Sequence, residues 1–123
     1  MAGQTETAEQ NPLQQNSRIF VKDGEQCWLV EIQDIHRMES IGNYTRIYFK
    51  GQQAMVHKSL SKIEERLPED QFFRANRQEL IQLRFIAEII PWFSGNLKAK
   101  MQDGAEVEIS RRQASKFKKL LSL

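Results

Sequence analysis

The chain has 123 residues, of which 40% are hydrophobic and 28% are charged, and its formal net charge at pH 7 is +2. These values are ordinary for one soluble globular domain and exclude a fibrous or low-complexity protein. No stretch approaches the roughly 20 consecutive apolar residues of a membrane helix, and the first twenty residues lack the pattern of a secretory signal. We therefore expect a cytoplasmic protein that does not associate with membranes.

Residues 1–17 are rich in Gln, Asn, Thr and Ala and have almost nothing to bury, so we expect a disordered linker between domains or a disordered tail. From Arg18 to Leu123, short apolar runs alternate with turn residues, which is typical of an all-β domain. Three turn pairs each separate two such runs and predict β-hairpins, because glycine accepts the positive φ of tight turns: Asp23-Gly24, Lys50-Gly51 and Asp103-Gly104.

Two segments have helical periodicity instead. The first, residues 59–67, has Glu64 three residues after Ser61 as a capping pair and stops at Pro68. Its apolar face consists of Leu60, Ile63 and Leu67. The second, residues 110–123, is predicted to be a short amphipathic helix that closes the fold. Its apolar face consists of Ala114, Phe117 and Leu121.

The single cysteine, Cys27, cannot form an internal disulfide and has no metal-ligand partner at the usual spacing. Because free cysteines are often buried, we expect Cys27 in the core. His36 and His57 fall outside any ligand or nucleophile pattern, and the common nucleotide-binding and hydrolase motifs are absent from the sequence. The sequence therefore predicts no enzyme, no catalytic residues, no cofactor and no metal site.

Positive charge is concentrated near the C-terminus. Since Glu6 and Glu9 account for two of the 16 acidic residues, residues 17–123 carry 18 basic and 14 acidic groups. Residues 110–123 contain five basic residues and no acidic one: Arg111, Arg112, Lys116, Lys118 and Lys119. Such a cluster suits a polyanionic partner, and it equally suits a solvated helix whose cations complement its own C-terminal dipole.

Residues 72–78, FFRANRQ, join two aromatic residues to a polar turn. Phe72 and Phe73 each stabilise a core by roughly 1.5–3 kcal/mol when fully buried. Four planar groups follow, and each can form two parallel hydrogen bonds to a flat partner: Arg74, Asn76, Arg77 and Gln78. Arg74 also suits a second role at the edge of the core, bonded to backbone or carboxylate groups. The segment thus predicts a polar turn anchored by buried aromatic rings.

Four blocks carry a family pattern: VEIQDIHRMESIGNYTRIYF, HKSLSKIEERL, FFRANRQELIQLRFIAEI and DGAEVEISRRQASKFKKLL. Together they resemble the LytTR family of DNA-binding domains over about residues 18–123. The resemblance implies a mainly β, elongated domain of about ten short strands in small sheets, with one short central helix and a short C-terminal helix. It also implies a transcriptional regulator of a bacterial two-component system, with a receiver domain upstream in the full-length protein.

The resemblance further implies that loops and strand ends enter successive major grooves on one face of duplex DNA, without a recognition helix. Base contacts are implied for Asn43, Thr45, Asn76, Arg77 and Arg111. Phosphate contacts are expected for Tyr44, Lys58, Ser59, Gln78, Arg112 and Lys116. The residue types fit, since Asn and Gln suit adenine, Arg suits guanine, and donors on phosphates fix the register without discriminating sequence. We also expect a second protomer on a repeated half-site.

Two alternatives to duplex DNA binding stay open. A β domain with aromatic residues between basic ones can bind single-stranded nucleic acid by stacking. That function requires four aromatic residues exposed on one surface: Tyr44, Tyr48, Trp92 and Phe93. We expect Trp92 in the core. Alternatively, the basic C-terminal segment and the bend Pro91-Trp92-Phe93 form a protein-docking surface without a role in nucleic-acid binding.

Overall fold

The computed structural model describes residues 13–14 and 16–122, which form ten β-strands and two α-helices. The strands are β1 (Arg18–Asp23), β2 (Gln26–Glu31), β3 (Ile35–Ile41), β4 (Tyr44–Phe49), β5 (Gln52–Val56), β6 (Phe72–Arg74), β7 (Glu79–Gln82), β8 (Ile86–Pro91), β9 (Leu97–Met101) and β10 (Glu106–Ile109). The helices are α1 (Leu60–Glu64) and α2 (Arg111–Leu121). This content confirms the predicted fold class. Neither of the described helices is long and apolar enough to span a membrane.

The strands form three antiparallel sheets. Their orders are β1-β2, β5-β4-β3-β7-β6 and β10-β9-β8. All three predicted hairpins are present, as the pairs β1–β2, β4–β5 and β9–β10. The first turn lies one residue later than predicted, because Asp23 pairs with Gln26 and leaves Gly24 and Glu25 between the strands.

Two clusters of buried side chains form the core, and the hairpin β6–β7 lies between them. Phe72 and Leu80 belong to the first cluster, with residues of β1 to β5 and α1. Phe73 and Ile81 belong to the second, with residues of β9, β10 and α2. Because successive strand residues point to opposite faces, this hairpin contributes to both clusters. The predicted aromatic anchor of the FFRANRQ segment is therefore confirmed.

Helix α1 is shorter than predicted and is capped by a different serine. The hydroxyl of Ser59 accepts a hydrogen bond from the Lys62 backbone N–H (3.3 Å). The predicted capping pair is wrong, because Ser61 lies inside the helix rather than before it. The predicted apolar face is confirmed at Leu60 and Leu67, which are buried.

Helix α2 follows its prediction except in the last turn. Ser110 is the N-cap, and its hydroxyl accepts from the Gln113 backbone N–H (3.4 Å). Ala114 and Phe117 are buried, whereas Leu121 is 52% exposed. The prediction for Leu121 is wrong because the apolar face ends at Phe117 and the final turn is solvated.

Two residues expected in the core are exposed instead. Cys27 lies on β2 opposite Lys22, on the outer face of the two-stranded sheet, where strand residues alternate between core and solvent. Trp92 is 37% exposed in the turn between β8 and β9. In both cases the position within a hairpin, rather than the residue type, decides the exposure.

The predicted linker is packed in its last residues. Leu13 contacts the first cluster, and its N–H donates to the Arg66 carbonyl (2.7 Å). The Gln14 N–H donates to the Ser17 hydroxyl (3.0 Å), and the Ser17 N–H donates to the Gln14 carbonyl (2.9 Å). Leu13, Gln14 and Ser17 therefore have defined contacts with the domain or with each other, and the linker itself stays a prediction. Residues 1–12 of the predicted linker, and residue 15, lie outside the described residues.

Candidate nucleic-acid interface

The polar turn after β6 is held by internal hydrogen bonds. The Asn76 Nδ2 donates to Glu79 Oε1 (3.1 Å) and to the Glu108 carbonyl (2.6 Å), and its Oδ1 accepts from the Gln78 N–H (2.8 Å). The Ala75 N–H donates to the Glu79 carbonyl (2.9 Å). The turn is therefore well fixed. The amide of Asn76, predicted to contact a base, is engaged within the protein.

Arg74 fixes the base of this turn. Its Nε donates to the Asn76 carbonyl (2.9 Å), its Nη2 to the Arg77 carbonyl (2.6 Å) and its Nη1 to Glu64 Oε1 (2.6 Å). These bonds confirm the predicted role of an arginine at the edge of the core. Arg77 differs, because its side chain is exposed and its guanidinium group has no partner within the described residues.

The acidic neighbour of the turn is neutralised. Glu79 Oε2 lies 3.6 Å from Arg37 Nη1, and Glu79 Oε1 accepts from Asn76. Because both oxygens face donors of the protein, this carboxylate opposes an approaching anion less than an unpaired one would.

The turn is joined to the N-terminus of α2. The Ser110 N–H donates to the Ala75 carbonyl (3.0 Å), and the Gln113 Nε2 donates to the Arg74 carbonyl (2.6 Å). These bonds, together with the one from Asn76 to the Glu108 carbonyl, connect segments more than thirty residues apart. The turn and the start of the helix therefore form one unit.

An aromatic contact supports this junction. Phe73 on β6 and Phe117 on α2 meet edge to face, with ring centroids 5.3 Å apart. Such a pair contributes about 0.5–1.5 kcal/mol beyond its area burial. The junction thus places Arg77 and Arg111, both predicted to contact bases, on a common support.

The alkyl stem of Arg111 packs against the turn between β8 and β9. A Cβ atom at Gly95 would lie 2.9 Å from Arg111 Cδ, which is too close for a side chain, and Gly95 has φ +83°. The backbone conformation favours glycine here, and a larger residue would also displace the Arg111 side chain. The Arg111 stem and the β8–β9 turn are therefore in close contact.

The turn between β3 and β4 adjoins the same unit. Gly42 and Asn43 form a two-residue turn in which Gly42 has φ +59°, a conformation that favours glycine. Asn43 is exposed at its tip. The Ser40 N–H donates to the Gln78 carbonyl (2.8 Å), so this hairpin is bonded to the polar turn.

Thr45 corrects the predicted set of base contacts. It is 0% exposed, and its hydroxyl donates to the Lys58 carbonyl (2.7 Å). Strand β4 alternates between core and solvent, and Thr45 lies on the core side with Ile47 and Phe49. A side chain without exposed surface cannot contact a base in this conformation. Its hydroxyl instead holds the segment that carries Lys58.

Three predicted phosphate contacts lie around this link. Tyr44 is 44% exposed and stacks on His57, with ring centroids 4.7 Å apart and an interplanar angle of 27°. Lys58 and Ser59 are exposed next to His57. The Ser59 hydroxyl accepts a hydrogen bond as the cap of α1 and keeps its own proton for a further acceptor.

Four of the five cations of α2 lie at its two ends, and Lys116 lies in the middle. Lys118 and Lys119 are in the last turn, where they complement the helix dipole. Arg111 and Arg112 are in the first turn, which contains no acidic residue and where the dipole disfavours cations. Complementing the helix dipole therefore explains the lysines but not these arginines. An anionic partner at this end would suit them.

We call the exposed residues of these linked segments the contact surface. It comprises nine of the eleven predicted residues: Asn43, Tyr44, Lys58, Ser59, Arg77, Gln78, Arg111, Arg112 and Lys116. The other two, Thr45 and Asn76, connect these segments through hydrogen bonds to the Lys58 and Glu108 carbonyls. Sequence reasoning missed the residues that join the segments: Ser40, Gly95, Glu108 and Gln113. The only available signal for them was their position at strand ends or in the first turn of a helix.

The four aromatic residues of the single-strand alternative differ in exposure and in their neighbours. The guanidinium group of Arg37 lies 3.8 Å from the ring centroid of Tyr48, which is only partly exposed. Tyr44 stacks on His57, and Lys98 Nζ lies 3.6 Å from the ring centroid of Trp92. Tyr44, Trp92 and Phe93 are thus exposed but Tyr48 is not, so the requirement of the single-strand alternative for four exposed rings is met only in part.

Comparisons with known proteins identify the family of this chain. A family model described as LytTr DNA-binding domain matches residues 25–122. The sensory transduction protein LytT of Bacillus subtilis is 29% identical over 115 residues, which cover 94% of this chain and 48% of LytT. The transcriptional regulatory protein YpdB of Escherichia coli K12 is 27% identical over 110 residues, which cover 89% of this chain and 45% of YpdB.

A solved structure agrees as well. The LytTr DNA-binding domain of a Bacillus cereus protein described as a methyl-accepting/DNA response regulator matches with a TM-score of 0.80 and 25% identity, over 87% of this chain and 98% of that chain. This chain spans about half the length of LytT and YpdB. The matches confirm the resemblance, and the family is one of DNA-binding domains rather than enzymes. The chain therefore belongs to the LytTr DNA-binding domain family.

Proposed function

We propose that this chain binds duplex DNA in a sequence-specific manner and is the DNA-binding part of a bacterial transcriptional regulator in a two-component system. The observation that carries the proposal is the hydrogen-bonded junction between the polar turn and α2. It places exposed Arg77 and Arg111 on one support, with no acidic group left unpaired in the turn. Two arginines held in this way suit the paired acceptors of guanine.

In this proposal the contact surface divides by chemistry. Arg77, Arg111 and Asn43 contact base edges, because guanidinium and amide groups match the donor and acceptor patterns of the major groove. The remaining residues contact phosphates and fix the register: Tyr44, Lys58, Ser59, Gln78, Arg112 and Lys116. The β3–β4 turn, the polar turn and the start of α2 enter successive major grooves.

The internal hydrogen bonds favour such binding. A loop that is ordered only on binding loses conformational entropy at that moment, whereas a fixed loop does not. The bonds of Arg74, Asn76 and Thr45 fix the segments before DNA is bound. Their role is therefore to raise affinity without touching the DNA.

The wider context is proposed from the relatives. LytT is described as a sensory transduction protein and YpdB as a transcriptional regulatory protein, and both are about twice as long as this chain. We propose a cytoplasmic regulator with a receiver domain upstream of this domain. A second protomer on a repeated half-site would then increase affinity through linkage.

The test is a selection of bound duplexes from a random library, followed by titration of the selected site. Competitors are a random duplex and each single strand of the site, at two salt concentrations. We expect the selected duplex to bind about 10³-fold or more tighter than random duplex. Equal binding of all duplexes, or preferred binding of a single strand, would refute the proposal. Absence of any DNA binding would instead favour the protein-docking alternative.

A further inference from the structure

An aromatic pair projects from the turn between β8 and β9. Phe93 is 73% exposed and Trp92 is 37% exposed, so Phe93 has the largest exposed fraction among the large hydrophobic residues that the structure describes. Single exposed apolar residues are common on protein surfaces and need no explanation by themselves. The reasons to assign this one a role are its rigid support and its location.

The support consists of backbone and ring contacts. The Trp92 N–H donates to the Asn96 carbonyl (2.9 Å), and the Asn96 N–H donates to the Phe93 carbonyl (2.9 Å). The Trp92 ring meets Phe93 edge to face with centroids 4.9 Å apart. Lys98 Nζ lies 3.6 Å from the centroid of the Trp92 ring. Phe93 is thus held in the solvent by a closed turn rather than carried on a loose loop.

The location is next to Arg111. Gly95 of this turn packs directly against the Arg111 side chain. Asn96 Nδ2 donates to Glu108 Oε2, and the carbonyl of Glu108 accepts from Asn76 of the polar turn. The aromatic turn therefore adjoins the contact surface, directly at Arg111 and through Glu108 at the polar turn.

The composition of the turn favours an apolar contact with a base over a contact with a phosphate. Residues 91–97, PWFSGNL, contain no charged side chain, and the adjacent Lys98 is paired with Glu106 Oε1 at 3.1 Å, so phosphate binding is not favoured there. In the major groove, the apolar group available to an aromatic side chain is the C5-methyl of thymine. A partner that offers both guanine acceptors to Arg111 and methyl groups to Phe93 is duplex DNA.

We infer that the turn at residues 92–96 extends the contact surface and that Phe93 contacts thymine methyl groups in the major groove, beside the base pairs contacted by Arg111. Trp92 acts as a positioning residue behind Phe93. This inference rests on the proposed function, because it needs the start of α2 to face the major groove.

The experiment is a double comparison on the selected site. Wild type and Phe93→Ala are titrated with the selected duplex and with the same duplex in which deoxyuridine, which lacks the methyl group, replaces thymidine. Phe93→Leu keeps an apolar contact. Leu29→Ala is the matched control, because Leu29 is 63% exposed but lies on the β1–β2 hairpin. Thermal melts show that each variant is folded.

We expect wild type to lose about fourfold or more in affinity on the uracil duplex, the equivalent of roughly one buried methyl group. Phe93→Ala should bind the thymine duplex about fourfold more weakly and lose little further on the uracil duplex. Phe93→Leu should retain most of the methyl dependence, and Leu29→Ala should behave as wild type.

Two results would overturn the inference. One is unchanged affinity of Phe93→Ala for the thymine duplex, which would favour a protein partner for this turn. The other is the same thymine-to-uracil ratio in Phe93→Ala and wild type, which would place Phe93 away from the methyl groups. The same titrations include random duplex. Failure of wild type to prefer the selected site would therefore identify failure of the proposed function separately.

Discussion

At the residue scale, Arg74 and Arg77 lie near each other in the chain but have different surroundings. The Arg74 side chain donates hydrogen bonds to two backbone carbonyls and to Glu64, so its role is structural. Arg77 stands three residues later, is exposed, and has no partner for its guanidinium group in the described part of the chain. The two arginines therefore provide a matched pair for mutation.

We predict that Arg77→Ala reduces the sequence preference of DNA binding without unfolding the protein. The thermal midpoint should stay within a few degrees, because no internal contact is lost. Preference at one or two adjacent base pairs should fall by about 1–3 kcal/mol. The control, Arg74→Ala, should lower the midpoint because three hydrogen bonds are removed. Unfolding by Arg77→Ala with unchanged sequence preference would make Arg77 a structural residue.

A carboxylate that is not part of the contact surface, Asp103, predicts a pH dependence of stability. Burial of Asp103 acts to raise its pKa, but hydrogen bonds from the Ala105 N–H and from His36 outweigh it and hold the pKa below the usual 3.8. A carboxylate with a lowered folded pKa stabilises the fold above its unfolded pKa, and this contribution is lost as pH falls through the folded value.

Asp103→Asn should therefore lower the free energy of unfolding near neutral pH. The difference from wild type should shrink when the pH is lowered below about 4, where the wild-type carboxylate also loses its charge. Denaturant unfolding of both proteins at two pH values measures this difference. A difference of the same size at both values would rule out the charge of Asp103 as its cause.

Sequence reasoning predicted which side chains could contact DNA, but not which of them the fold uses for internal hydrogen bonds. Thr45 and Asn76 have the donors that base recognition needs, and the structure directs those donors to Lys58 and Glu108. These partners are 13 and 32 residues away in the chain. A sequence shows which groups can donate, but not which distant carbonyl lies nearby after folding.

At the element scale, β6 connects the core to the contact surface. Its three residues supply Phe72 to one cluster, Phe73 to the other and Arg74 to the polar turn. Local signals predicted much of the element pattern, since glycine turns mark the three hairpins. They did not predict the pairing of β3 with β7, because those strands are about forty residues apart and lack a turn signal between them.

We predict that Phe73→Ala reduces both stability and DNA binding. Loss of a buried phenylalanine should lower the free energy of unfolding by about 3–5 kcal/mol. The edge-to-face contact with Phe117 is lost as well, so the junction that carries Arg111 loosens. Binding measured well below the melting temperature should be weaker even where the variant is folded. If folded Phe73→Ala bound DNA as tightly as wild type, the aromatic anchor would contribute to stability but not to DNA binding.

At the scale of the whole molecule, the contact surface is assembled from four segments. They are the β3–β4 turn, residues 57–59, the polar turn and the start of α2. Each link between them is a hydrogen bond between residues distant in sequence. The family resemblance predicted that these segments act together, while composition and periodicity alone did not.

The N-terminal segment provides a further prediction at this scale. Residues 1–12 contain no basic residue, so their removal should leave DNA affinity nearly unchanged. Removal of residues 1–16 should lower the thermal midpoint, because it deletes Leu13 and its bond to the Arg66 carbonyl. Binding titrations and melts of the two truncations measure both effects. A large loss of affinity without residues 1–12 would show that this segment contacts DNA.

The salt dependence of duplex binding tests the central claim most directly. If about five or six phosphates are neutralised, the plot of log K against log salt concentration should have a slope of about −4 to −6. Lys58→Ala should make the slope less negative by about one unit and weaken all duplexes alike. A slope near zero for the wild-type chain would contradict the account, because the contact surface would then bind no phosphates.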